Sequence, residues 1–192
     1  MRRGLFAWVV ALALGGSSAE AQQMAVPAEI QVPMLFKILT FDRKLGDRVP
    51  GNDIVIAIVF QSGYRASLVA RDQVVETLRD MAVSTISGHP VNWLLLEWSD
   101  AGTFRQSLTS SRVDVIYVMP LRGVDLAQIM LTARTADITS FTGVPDYVER
   151  GLALGIGMAR DRPQIIVNLV AARAEGSDFD SQLLRVSRVL EQ

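Results

Sequence analysis

His89 is the only histidine in the 192-residue chain, and there is no cysteine. A zinc site needs several His or Cys ligands and a Cys/His nucleophile pair needs one of each, so neither can be built here. A Ser-His-Asp triad would have to use His89, which precedes Pro90, and no G-x-S-x-G elbow accompanies it. It is read as a turn histidine at the start of a strand. Gly151, Gly155 and Gly157 superficially suggest a phosphate loop. Such a loop lies between a strand and a helix N-terminus, whereas these glycines alternate inside a strand and no Walker lysine follows. Two acidic pairs remain, Glu97 with Asp100 and Asp178 with Asp180. Neither has the spacing of a metal loop. Asp178 is better placed to cap the last helix, with Ser181 as the competing cap. The expectation is a protein that is not an enzyme and uses no metal or cofactor.

The elements around these residues follow from apolar spacing. Asp53 to Phe60 is an unbroken apolar, β-branched run, the pattern of a strand covered on both faces and hence of a parallel sheet with helices on either side. It is the expected central strand, with Ile56 in the core. Helix, strand, helix, strand, helix and strand follow, over 67–83, 91–98, 103–110, 113–119, 125–134 and 138–141. Before them, Ile30, Met34, Leu35, Ile38 and Phe41 recur at helical spacing from Pro27 to about Gly46, with Pro33 as a kink or break. After them, Leu152 to Met158 and Gln164 to Leu169 leave no room for a crossover helix and predict an antiparallel hairpin. A closing amphipathic helix over 181–191 would pack Leu183, Leu184, Ser187 and Leu190. The fold class is α/β: a single doubly wound, mainly parallel sheet with helices on both faces, a C-terminal antiparallel hairpin and a closing helix.

In such a sheet a ligand lies beyond the carboxyl ends of the strands where strand order reverses. That geometry selects Ser62, Gly63 and Tyr64 after the first strand, and Arg122 and Gly123, following Pro120, after the third. Arg122 would be the anion contact and Tyr64 a stacking surface; ordinary turns with one solvated arginine are the competing reading. Asn168 interrupts an apolar strand end, and a buried amide there needs backbone partners, so it is read as a structural residue.

Residues 1–21 carry the three parts of a secretory signal: Arg2 and Arg3, an apolar stretch from Leu5 to Leu14, and Ala19-Glu20-Ala21 before Gln22. About ten apolar residues are too few to span a bilayer, which takes roughly 20. Cleavage after Ala21 leaves one domain, residues 22–192. It removes two arginines and one glutamate, taking the formal charge from −1 to −2. That balance gives no footprint for nucleic acid or anionic lipid. Without cysteine there is neither a lipid anchor nor a disulfide.

Both ends of the mature chain resemble the YfiR-like family of small periplasmic proteins. The C-terminal likeness rests on Val167-Asn168-Leu169, on Ala171-Ala172-Arg173, and on the run Leu183-Leu184-Arg185-Val186-Ser187-Arg188-Val189. The N-terminal likeness rests on Val32 to Leu45, with Lys37, Phe41, Asp42 and Arg43. The resemblance implies a periplasmic regulator that restrains a membrane-bound diguanylate cyclase by binding its extracytoplasmic domain, so that envelope stress raises cyclic di-GMP in the cell. A different membrane sensor as partner, or a small-molecule receptor using the cleft above, is the alternative, and a homodimer stays open. Arg185 and Arg188, on the exposed side of the closing helix, are the candidate partner contacts. One departure matters: the best-known member uses disulfides as a redox link, which a cysteine-free chain cannot do.

Overall fold

The apolar run Ile54–Phe60 forms strand β1, with parallel neighbours on both sides: β3 (His89–Glu97) and β4 (Val115–Val118). Ile54, Ile56, Ile58 and Phe60 enter one core, while Ala57 and Val59 enter a second on the opposite face. A strand with both faces covered has no use for polar residues, which is why this run is continuous. The computed structural model describes residues 24–49, 52–81 and 85–191. The expected signal peptide lies outside the described residues.

The sheet has eight strands in the order β2-β3-β1-β4-β5-β6-β7-β8, where β2 is Thr85–Ile86, β5 Thr139–Thr142, β6 Leu154–Ala159, β7 Arg162–Asn168 and β8 Arg188–Leu190. Strands β3, β1, β4, β5 and β6 are mutually parallel, and β7 returns antiparallel to β6. Their hairpin turns at Arg160 and Asp161, both at positive φ (47° and 60°), as a two-residue turn matched to strand twist requires. The first core is covered by α1 (Ala28–Leu39), α3 (Arg65–Asp80), α7 (Leu169–Ala174) and α8 (Ser181–Val186), with Leu45 from the short α2 (Leu45–Arg48). The second is covered by α4 (Ala101–Ser110), α5 (Leu126–Thr135) and α6 (Pro145–Glu149). This is the doubly wound arrangement with a C-terminal hairpin.

Several boundaries differ from expectation. The closing helix stops at Val186 and Ser187 turns extended (φ −104°, ψ 155°), so Arg188 and Leu190 belong to β8, parallel to β7. Leu183 is buried, Leu184 and Leu190 only partly. Helix α1 runs unbroken through Pro33 but ends at Leu39 rather than near Gly46. Ile30, expected inside, is exposed, and its neighbour Gln31 is fully buried instead. Neither Asp178 nor Ser181 caps α8: Asp180 does, accepting from Gln182 N–H at 2.7 Å. Asp178 pairs with Arg43 across 2.8 Å.

Candidate functional site

Strand order reverses between β1 and β4, since the chain leaves β1 for β3 on one side and returns for β4 on the other. The loops beyond their carboxyl ends carry the five residues selected from sequence. Gln61 ties the two loops together: its Nε2 donates to Arg122 O (3.1 Å) and its Oε1 accepts from Arg122 N–H (2.9 Å). One side-chain amide thus does for Arg122 what a strand neighbour would do. Ser62 Oγ donates to Glu97 at the end of β3, and buried Ser67 of α3 accepts the Gln61 N–H at 2.9 Å. Gly123 sits at φ +67°, where a side chain would be strained. Tyr64 precedes α3 without a side-chain cap bond, and Arg122 is exposed. The open space beside them is a cleft of about 370 Å³ lined by Met24, Pro120 and the α3 residues Arg65, Ala66, Val69, Ala70 and Gln73. The five sequence candidates lead into Arg65 and away from Pro120 rather than lining that cleft. Tyr147 of α6 braces the second loop, its hydroxyl donating to Leu121 O (3.0 Å) and accepting from Leu121 N–H (2.8 Å).

Asn168 is buried and caps α7: its Oδ1 accepts from Ala171 N–H (3.0 Å) and its Nδ2 donates to Val148 O (3.2 Å). One amide therefore starts α7 and holds it to α6. Gln31 works similarly between α1 and the sheet. It donates through Nε2 to Val26 O (2.5 Å) and accepts the Tyr117 hydroxyl at 2.8 Å. Burial pushes the Tyr117 phenol far above its ordinary value, so it acts only as a neutral donor. Gly143 packs so close to Gln31 that a Cβ there would overlap the amide.

A part-buried polar assembly that was not anticipated centres on Arg48. Its Nη2 meets Asp42 Oδ2 (2.5 Å), Thr139 Oγ1 (3.0 Å) and Ser177 Oγ (3.2 Å), and its Nη1 meets the carbonyls of Asp137 (2.7 Å) and Glu175 (3.2 Å). Asp42 in turn accepts from Asp178 N–H (2.9 Å), and Asp42 and Phe179 form an isolated antiparallel bridge. Beside the hub, the fully buried Glu175 accepts from Ser140 N–H and Ser140 Oγ–H, both at 2.7 Å, while Ser140 Oγ accepts from Ala153 N–H (2.8 Å). Glu175 and Ser140 bridge β5 to the residue entering β6, where main-chain pairing has not yet begun. Desolvation outweighs those hydrogen bonds and the pull of Arg134 and Arg48, pushing the carboxyl up to about 8. Nearby Asp114, accepting from Val55 N–H at 2.8 Å, is also raised by burial. The signal available in the sequence was the polar content of β5, Thr-Ser-Phe-Thr: a buried strand with three hydroxyls needs partners.

Of the candidate partner contacts, Arg185 is exposed at the end of α8, next to Val186, which keeps 70% of its surface in solvent. Arg188 is exposed on β8 and pairs with Glu149 at 2.9 Å. His89 opens β3, its Nδ1 3.1 Å from Asn52 O. Asp100 caps α4, accepting from Thr103 N–H and Gly102 N–H; those bonds hold its carboxyl below the usual range.

From α1 to β8, residues 29–188, the sequence matches the family described as YfiR/HmsC-like. The chain belongs to the YfiR/HmsC-like family. This membership supports a periplasmic regulatory protein and fits one that is not an enzyme. No curated protein matches this YfiR/HmsC-like chain. Its fold is similar to a conserved domain protein from Vibrio cholerae (15% identity, TM-score 0.60, covering 85% of this chain and 60% of that one). It is also similar to the ABC domain in complex with L-Trp from Streptococcus pneumoniae (13%, 0.57, 85% and 60%). A third likeness is to the ligand-free, open structure of a substrate binding protein with adhesive properties from Clostridium difficile (17%, 0.50, 78% and 58%). The chain spans about 60% of the length of these structures, and at such identities the likeness is one of fold alone.

Proposed function

We propose that the exported protein, cut after Ala21, binds the extracytoplasmic domain of a membrane signalling protein and restrains it, a diguanylate cyclase being the first candidate. The observation that carries this is the family match from residue 29 to residue 188, nearly the whole expected mature chain. The end of α8 supports a docking face there: a solvent-exposed Val186 lies in sequence between Arg185 and Arg188, and arginine beside apolar surface is favoured at interfaces. Deleting the gene should raise cellular cyclic di-GMP, and the tagged protein should capture a membrane cyclase through its extracytoplasmic domain. Arg185→Glu combined with Val186→Ser should weaken that capture with little change in melting temperature, because exposed substitutions usually move stability by no more than about 0.5 kcal/mol. Deletion that leaves cyclic di-GMP unchanged, together with capture of no signalling protein, sinks the reading.

The cleft beside the switch point supports a second reading, a receptor for a small molecule seated against α3 and Pro120. A metabolite at 100 times its Kd would stabilise the fold by about 2.7 kcal/mol, so a thermal-shift panel separates the two readings. Stabilisation by one metabolite favours the receptor, and a flat panel removes it.

A further inference from the structure

The amino ends of β4 and β5 carry the same local design twice. Helix α4 ends at its cap Ser111, Arg112 turns to φ 49°, and Val113 N–H closes back on Leu108 O (3.1 Å). Helix α5 ends at its cap Ala136, Asp137 turns to φ 51°, and Ile138 N–H closes back on Ala133 O (2.9 Å). Val115 and Thr139 are register partners in neighbouring parallel strands, so the two helix ends lie side by side. Residues of both line a cavity of about 520 Å³, at the opposite end of the sheet from the switch-point loops. The last carbonyls of a helix lack partners within it and carry partial negative charge, which favours a cation at that end.

Asp114 also lines this cavity and is only 7% exposed. Its Oδ2 accepts from Val55 N–H at 2.8 Å, and its Oδ1 accepts from no described residue. Burial raises this carboxyl in spite of that bond and of Arg48 nearby, so its charge is incompletely compensated within the fold. Arg48 lines the cavity too, but its Nη atoms are taken by Asp42, two hydroxyls and two carbonyls, and its Nε is buried rather than presented to solvent. With Arg48 matched by Asp42, the lining sets Asp114, Asp137 and two negative helix ends against Arg112, which is exposed and in no ion pair among the described residues. We propose that the cavity takes a small organic cation, its primary ammonium or guanidinium head held by Asp114 and the carbonyl ends of α4 and α5, its alkyl stem beside Leu108 and Ile138. An anion would be drawn to Arg112 but would lie against a buried carboxylate.

Protonated n-butylamine probes the head and stem, and norvaline is the same molecule with a carboxylate added. Titration calorimetry should show saturable binding of n-butylammonium and n-butylguanidinium, weaker binding of norvaline, and none of n-butanol or butyrate. Asp114→Asn keeps an oxygen for Val55 N–H and removes the charge, so it should weaken n-butylammonium on the order of tenfold. The positive φ of Arg112 and Asp137 suits glycine, so each charge can be removed there without straining the backbone. Arg112→Gly should tighten n-butylammonium severalfold and Asp137→Gly should loosen it, both with the melting temperature kept; this pair carries the test if Asp114→Asn does not fold. Absence of saturable n-butylammonium binding, binding unmoved by these substitutions, tighter binding of norvaline or butyrate than of the amine, or an Arg112→Gly variant that binds less tightly would each overturn the proposal.

Discussion

Glu175 makes the stability of this domain depend on pH in a direction opposite to that of most carboxylates. In the unfolded chain its carboxyl titrates near 4.5, and in the fold burial moves it to about 8. The folded state holds the proton more tightly, so this group costs nothing below the unfolded value. Its cost grows as pH rises from 4.5 toward 8 and levels off above. At about 1.4 kcal/mol per pH unit, the full difference is about 5 kcal/mol, a large fraction of the 5 to 15 kcal/mol that holds typical domains together. Glu175→Gln keeps an oxygen to accept from Ser140 N–H and removes the ionisation. Unfolding both proteins in urea at intervals from pH 4 to pH 9 should give nearly equal stability at the acid end. The glutamine variant should gain progressively, reaching several kcal/mol by pH 9. Asp114 is also raised by burial but is common to both proteins, so the difference isolates Glu175. A difference that stays constant across the range would refute the desolvation argument. A difference that shrinks with rising pH would mean that Arg48 and Arg134 outweigh it.

Three further perturbations test other parts of the structure. Ile56→Ala, on β1 between Trp93 and Val115, should cost about 2 to 5 kcal/mol by denaturant titration, because the site is only 1% exposed and cannot collapse freely. Tyr117→Phe should cost about 1 to 3 kcal/mol, since it leaves the Gln31 Oε1 buried without its donor. Arg48→Met strands the Asp42 carboxylate, whose side chain is fully buried, and should cost about 3 to 5 kcal/mol; adding Asp42→Asn should recover part of that loss.

Hydrophobic pattern showed the sheet but not what locks its ends. Strand β1 was legible because a continuous branched run has few alternatives, and the hairpin because five residues cannot hold a crossover helix. The closing helix was drawn too long because Leu183, Leu184, Ser187 and Leu190 keep helical spacing across a real break; β7 offers an unpaired edge, and three residues of β8 satisfy it. Helix α1 was rotated by one position because hydropathy prefers Ile30 inside. Gln31 takes that place because the Val26 carbonyl just ahead of the helix and the distant Tyr117 hydroxyl of β4 satisfy its amide. The Arg48 hub was invisible for the same reason: its partners at 42, 137, 139, 175 and 177 share no spacing. The switch-point loops could be located by topology alone. Their closure by the Gln61 amide could not, since a glutamine at a strand end looks like any solvated residue.

The bridge of Asp42 to Phe179 and the pairing of Arg43 with Asp178 join the loop between α1 and α2 to the segment that leads into α8. Those partners lie about 135 residues apart in sequence, so this tie forms only once the chain extends past Phe179. Contacts of that separation carry a large loop-closure cost and slow folding. Helix α1 can bond to β4 through Gln31 and Tyr117 before then, but the loop behind it stays untied until residues 178 and 179 arrive.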